Sequence, residues 1–215
     1  MHAPVTVIVL AAGQGSRFTG AGHKLAQSIE GGGDAGAVLS VTLRNAIASR
    51  LPVLVVTNAE LAPLAHQQVA ARDVVILPPL RSRGMGDSIA AGVSARPDAS
   101  GWLVLPGDMP RVRPGSLQRV ALALQTHAVA YAQYRGRRGH PVGFAAELYS
   151  ELILLDNDDG ARRVVARYPA HALEVDDPGV LMDVDTPADL AALQASAEPA
   201  QIGRASCRER VYSSV

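Results

Sequence analysis

Cysteine is all but missing from this chain. The single one, Cys207, lies in a C-terminal stretch, Ile202 to Val215, that shows neither strand alternation nor a helical stripe. That stretch resembles translated cloning-vector sequence and is read as a tail, which leaves one domain over residues 1–200 with no disulfide and no thiolate metal site. Long apolar runs are missing too. Nowhere do about 18 apolar residues follow one another, which excludes a membrane-spanning helix. Gly13 and Arg17 come too soon after the N-terminus for a secretory h-region, so the expected location is the cytoplasm. Nor is there an excess of one charge. Twenty Lys and Arg stand against twenty Asp and Glu, a near-balance that survives removal of the tail. No overall field would therefore draw the chain to nucleic acid or to an anionic membrane, and any anionic ligand must be held locally. The most telling shortage is lysine: every cation is arginine except Lys24. GC-rich codon usage would replace dispensable lysines first. It would spare a place where a compact ammonium is needed and a planar guanidinium does not fit.

What is present fits a globular α/β chain: 215 residues, 48% hydrophobic and 19% charged. Residues 5–10 (VTVIVL) form an apolar run without alternation, the pattern of a strand buried on both faces of a parallel sheet. Similar runs occur at Val53 to Thr57, Val74 to Leu77 and Trp102 to Leu105. Helical spacing lies between them at Val38 to Ala48, Leu61 to Ala71 and Asp87 to Val93. This alternation predicts right-handed βαβ units with helices on both faces and a ligand site at the carboxyl ends of the strands. Beyond Pro114 a helix is expected to Gln125. Then come a strand over Val129 to Tyr134, a loop over Arg135 to His140 and a further strand over Pro141 to Phe144 that could pair antiparallel with the first. Helices over Ala146 to Leu155, Gly160 to Arg167 and Pro187 to Ala195, with a strand around Leu173 to Val175, complete the prediction. Residues 31–36 (GGGDAG) read as a surface loop.

The first chemical signal is Leu10 to Lys24, LAAGQGSRFTGAGHK, where a buried strand runs into a glycine-rich turn followed by Arg17 and Lys24. Glycines let backbone N–H groups approach phosphate oxygens, and the two cations neutralise charge the amides leave. It is neither the dinucleotide fingerprint, since Phe18 stands where the third glycine belongs, nor a P-loop, since no Gly-Lys-Ser/Thr occurs.

Further along, Arg83-Gly-Met-Gly-Asp-Ser88 opens a helix whose N-terminus can receive an anion or a base edge, unless Asp87 or Ser88 merely caps it. Leu105-Pro-Gly-Asp-Met-Pro110 puts Asp108 at the end of an apolar strand. A hard carboxylate there suits Mg²⁺, the alternative being an Asx-turn. In Met182-Asp-Val-Asp-Thr-Pro187, alternation points Asp183 and Asp185 to one side. That is costly unless a cation or water joins them, and either Asp185 or Thr186 can cap the following helix. Tyr134 to Phe144 gathers Arg135, Arg137, Arg138 and His140 in a glycine-rich segment suited to a second anionic substrate, or simply exposed. Asp156-Asn-Asp-Asp-Gly160 fails as a calcium loop, because the twelfth position is Arg167 rather than Glu.

Taken together these segments resemble the nucleotidyltransferase family with an L-A-A-G-x-G-x-R signature and a downstream lysine, which includes the molybdenum cofactor cytidylyltransferases. The resemblance extends over most of residues 5–195. It implies a Rossmann-like, three-layer α/β fold of the GT-A type, with a mostly parallel sheet. It also implies a Mg²⁺-dependent reaction that transfers CMP from CTP to the phosphate of molybdenum-bearing molybdopterin and releases pyrophosphate. By motif position, Leu10, Ala11, Ala12, Gly13 and Gly15 wrap the triphosphate, with Met85 and Ser88 near the nucleotide and Arg17 and Lys24 as catalytic cations. Asp108 becomes a catalytic metal ligand, with Asp183 as the second and Asp185 as its alternative, while Gly139, His140 and Pro141 lie near the pterin. Gly84, Ile89, Gly92 and Gly160-Ala-Arg162 also match. Ala12 stands where guanylyl-transferring relatives tend to have glycine, which favours cytidine. GTP, a sugar-phosphate acceptor, or a noncatalytic module serving molybdenum hydroxylases or their maturation are the competing readings. A phosphate monoester has its second pKa near ~6, so the acceptor oxygen is already anionic at neutral pH and no general base is required.

Overall fold

A computed structural model describes residues 3–13, 18, 22–29, 33–78, 84–156 and 160–197. Gly15, Arg17, Arg83, the Pro-Pro step at 78–79 in part, Asn157 to Asp159 and the tail with Cys207 lie outside the described residues. Among those described, seven strands make one sheet: β1 (Thr6–Ala11), β2 (Val53–Thr57), β3 (Val74–Ile76), β4 (Gly101–Pro106), β5 (Val129–Tyr134), β6 (Arg137–Ala145) and β7 (Ala170–Glu174). Their order is β3-β2-β1-β4-β6-β5-β7. The pairs β1–β2, β1–β4, β2–β3 and β5–β7 are parallel. Only β6 runs the other way, antiparallel to both β4 and β5. The carboxyl ends of β1, β4, β5 and β7 therefore share one rim.

The continuous apolar runs are explained by two cores. In β1, Val7, Val9 and Ala11 face one core and Ile8 the other; in β4, Leu103 and Leu105 part from Trp102 and Val104 in the same way. The first core is covered by α1 (Val38–Ala48), α2 (Ala62–His66), α4 (Pro114–Ala123) and α7 (Pro187–Ala197) through Leu39, Leu64, Leu117 and Leu193. The second is covered by α3 (Met85–Ser94), α5 (Tyr149–Leu152) and α6 (Arg162–Arg167) through Ile89, Leu152 and Val164. This is the three-layer arrangement, and alternate burial on both faces removes every reason for polar residues inside the central strands. Gly92 lets α3 sit close to the sheet, since a Cβ there would lie 2.6 Å from Ile8 Cγ2. No helix among the described residues is long and apolar enough to cross a membrane.

Three expectations need correction. The helix over Leu61 to Ala71 stops at His66, because Gln67 and Gln68 are turn residues and only Val69 beyond them returns to the core. The helix over Ala146 to Leu155 is a 3-10 turn, Ala146–Leu148, followed by the short α5. The segment Arg135 to His140 is not a loop. Its turn is only Arg135-Gly136, both at positive φ (51° and 75°), which matches the twist of a two-residue hairpin, and β6 starts at Arg137.

Candidate active site

The rim between β1 and β4 is built by contacts far apart in sequence. The Gly107 N–H donates to the Leu10 carbonyl at 2.8 Å, joining the ends of the two central strands. From α1, Thr42 Oγ1 donates to the Gly107 carbonyl (2.9 Å) and Asn45 Nδ2 to the Pro110 carbonyl (2.8 Å). The Val184 N–H donates to the Asp108 carbonyl at 3.0 Å. Each end of the Gly107-Asp108-Met109-Pro110 turn is thus held, and the Asp108 side chain projects from a fixed base.

Into this base comes Lys24, which opens a 3-10 turn, Lys24–Ala26. Its Nζ donates to Asp108 Oδ2 at 2.6 Å and to Asp185 Oδ1 at 2.8 Å. The side chains of Lys24, Asp108 and Asp185 are 15%, 16% and 39% exposed, so water does not screen the first pair as it would at an open surface. Burial alone would lower the Lys24 pKa, but the carboxylates of Asp108 and Asp185 outweigh it and hold the value above 10.5. The ammonium stays charged. The other oxygen, Asp108 Oδ1, is buried and has no hydrogen-bond partner among the described residues. An orphaned carboxylate oxygen beside a second carboxylate is a donor set that suits a hard divalent cation with few protein ligands.

Of the residues that position this trio, the sequence pattern pointed only to Thr186. His23, 8% exposed, accepts from the Leu25 N–H through Nδ1 (3.2 Å), so its proton sits on Nε2, which donates to the Gly13 carbonyl at 2.9 Å. The root of the glycine-rich turn is thereby tied to the base of Lys24. Asp189 Oδ2 accepts from the N–H groups of Asp185 (3.2 Å) and Thr186 (2.8 Å), while Thr186 Oγ1 accepts from the Asp189 N–H (3.2 Å). This reciprocal pair caps α7. Thr186 therefore does the capping, and Asp185 is left to meet Lys24. A Thr-x-x-Asp spacing was the local signal for it.

Asp183 goes elsewhere. Val184 is fully buried and its two neighbours point away from it, as alternation predicts, yet they part: Asp185 reaches Lys24, whereas Asp183 is exposed and acts on His140. Burial pushes the His140 pKa down to about 4, the Arg138 guanidinium pushes the same way, and Asp183 opposes them. In the register between β5 and β6, Gly139, His140 and Pro141 stand opposite the single residue Ala132. This bulge re-aims the strand at the rim. The His140–Pro141 peptide is cis. Gly139 has no room for a side chain, since a Cβ would lie 2.2 Å from the Val180 carbonyl oxygen. The bulge thus rests directly on the segment that leads to Asp183 and Asp185.

Of the remaining expected residues, Leu10 and Ala11 end β1, Ala12 is buried in the second core and Gly13 is exposed. Met85 and Ser88 belong to α3 on the opposite face of the sheet, with Met85 over Gly160. Neither Asp87 nor Ser88 caps α3, whose N-cap is Gly84 with no side-chain cap. Among the described residues, no three or more His, Cys, Asp or Glu side chains are grouped so that they could hold a metal ion.

Comparison with known proteins agrees with this fold. The chain is 30% identical over 205 residues to purine catabolism protein PucB of Bacillus subtilis, covering 87% of this chain and 95% of that protein. It is 32% identical over 161 residues to phosphoenolpyruvate guanylyltransferase of Mycolicibacterium vanbaalenii, covering 72% of each. Among solved structures, Rv0371c from Mycobacterium tuberculosis is 26% identical with a TM-score of 0.73, over 90% of this chain and 99% of that one. A manganese complex of the same protein superposes with a TM-score of 0.72, over 91% and 100% of the two chains at 26% identity. The family model described as the MobA-like NTP transferase domain matches residues 7–173. With the family model covering most of the chain and the three-layer fold shared with these structures, the chain belongs to the MobA-like NTP transferase family and is a nucleotidyltransferase.

Proposed function

We propose that the chain transfers CMP from CTP to the terminal phosphate of molybdenum-bearing molybdopterin, with release of pyrophosphate. The observation that carries this is the meeting of Lys24 with Asp108 and Asp185, 84 and 161 residues away, at the carboxyl rim of β1 and β4. Such a rim positions a triphosphate and needs no nucleophilic side chain. Arg17 and Lys24 neutralise the phosphates, and the turn from Leu10 through Ala11, Ala12, Gly13 and Gly15 supplies backbone donors. Asp108 through Oδ1, with Asp185 beside it, would hold Mg²⁺, and the manganese complex of Rv0371c supports a divalent ion. When bound, the ion supplies charge neutralisation across the triphosphate and fixes the α-phosphate for attack.

In this reading Asp185 takes the second-ligand role and Asp183 orients the acceptor side through His140. His140, held neutral at physiological pH, and the exposed Arg135, Arg137 and Arg138 face the anionic acceptor, with Gly139 and Pro141 shaping the bulge. Met85 and Ser88 contribute from the nucleotide's other side. Ala12 supports cytidine, because guanylyl-transferring relatives tend to have glycine at that position. A second reading, GTP as donor, is favoured by the name of the Mycolicibacterium relative, whose phosphoenolpyruvate also offers a phosphate monoester. Pyrophosphate release with CTP, GTP or ATP and purified molybdenum cofactor separates these. CTP is expected to be fastest. Turnover with GTP alone would replace the cytidylyl assignment, and none with any nucleotide would remove the acceptor.

A further inference from the structure

We propose that in the nucleotide-free protein Lys24 is itself the cation of this site: its ammonium fills the gap between Asp108 and Asp185 and keeps a divalent ion out until a triphosphate draws it away. The inference rests on the reading above, in which Asp108 and Asp185 hold the ion. Two carboxylates converge on one ammonium at 2.6 and 2.8 Å, so one oxygen of each is already committed to Lys24. A divalent ion entering with Lys24 in place would find, on Asp108, only Oδ1 without a partner, and a positive charge a few ångströms off. The ion and the ammonium compete for the same two carboxylates.

The supports of the three side chains say which must move. Asp108 projects from a turn bonded to Leu10, Thr42, Asn45 and Val184, and Asp185 sits on the Asp189 cap. Both carboxylates are anchored by their backbones. Lys24 has a four-carbon stem with rotatable bonds, and its backbone lies one residue beyond His23, whose ring is bonded to Gly13 at the root of the phosphate turn. A swing of the stem can carry the ammonium off the carboxylates, towards a phosphate bound beside Gly13, without any shift of the main chain. The lone lysine then acts twice: first as a placeholder that keeps two acids from repelling each other, then as a phosphate ligand. Divalent ion and nucleotide should enter together rather than the ion first. Arginine at this position would keep the charge but bring a planar fork that holds carboxylates bidentately and is slower to let go.

The test is Mn²⁺ binding to the full chain, read by the electron paramagnetic resonance of free Mn²⁺, without nucleotide and then with CTP or GTP. Without nucleotide, Lys24→Met is expected to bind Mn²⁺ at least about tenfold more tightly than the parent, and Lys24→Arg no more tightly than the parent. Asp108→Asn placed on Lys24→Met should abolish the gain. Lys24→Gln repeats the measurement should the methionine variant melt well below the parent. If neither uncharged variant binds more tightly, while Asp108→Asn still removes Mn²⁺ binding in the presence of nucleotide, the placeholder role is overturned and the metal assignment stands. If Asp108→Asn leaves Mn²⁺ binding with nucleotide unchanged, the metal assignment falls and the placeholder role with it.

Discussion

The two ends of the sheet's carboxyl rim are built in opposite ways. At the β1–β4 end, charges meet in pairs behind backbone contacts: Lys24 lies between Asp108 and Asp185, and Thr42, Asn45, His23 and Asp189 hold the parts in place. At the β5–β6 end, Arg135, Arg137 and Arg138 stand exposed on a hairpin. There the Arg135 guanidinium lies 5.2 Å from the Tyr134 ring centre and Arg138 lies 4.7 Å from that of Tyr131. The hairpin turn is held from one side by Glu174, whose carboxylate accepts from Gln133 Nε2 and from the N–H groups of Arg135 and Gly136. Those bonds, Gln133 first, keep the Glu174 carboxyl below its ordinary range. Such opposed construction points to a division of labour. In the proposed reading, the triphosphate is met by a preorganised, partly buried charge set, where electrostatic effects are large. In the same reading, the acceptor is met by exposed guanidinium groups, two of them over aromatic faces, where each interaction is weak and adaptable.

The contrast can be broken most decisively at Asp108. Asp108→Ala is expected to lower pyrophosphate release by about 10³-fold or more while nucleotide binding persists, because the lost group acts on charge developing in the transition state. Activity within tenfold of the parent would mean that the β1–β4 end is not the preorganised one. A smaller effect is expected where the two ends touch. In Gly139→Ala the new methyl would overlap the Val180 carbonyl, for a loss of about 1–3 kcal/mol in urea unfolding, and the shifted 180–185 segment should raise the KM for acceptor. Unchanged stability and KM would show the bulge and that segment to be independent. The smallest effect is the pH response of His140. Its folded-state value of about 4 lies below the ordinary 6.5, so the unfolded chain takes up a proton that the fold refuses. Its contribution to stability is whole above pH 6.5 and is lost as pH falls towards about 4. Denaturation series at pH 7 and pH 5 should show a smaller drop for His140→Gln than for the parent; equal drops would place the titrating group elsewhere.

Much of this architecture is legible in the order of residues. Val38 to Ala48 and Val129 to Tyr134 are helix and strand with those bounds, because helical spacing in the one and a β-rich apolar run in the other leave no rival reading. The hairpin at Arg135-Gly136 is not legible in that way. A basic, glycine-rich stretch looks like a loop until β4, on one side, and β5, on the other, supply the ladder partners that make β6 a strand. Lys24 and Asp108 can be picked out singly, the first as the only lysine and the second as the carboxylate ending an apolar strand. That they touch cannot. The choice between Asp183 and Asp185 is also beyond a pattern of alternation, which puts both on one side. What separates them is the Asp189 cap on Asp185 and the His140 bulge beside Asp183.

Local periodicity and the transfer of apolar side chains from water thus settled, within the chain's own order of residues, the central buried strands and most of the helices that cover them, though not β6. The same order settled which polar residues end those strands. How those polar ends pair was left to the packed fold, because contacts across 84 and 161 residues depend on where the sheet order brings the rims together, and no local pattern carries that information.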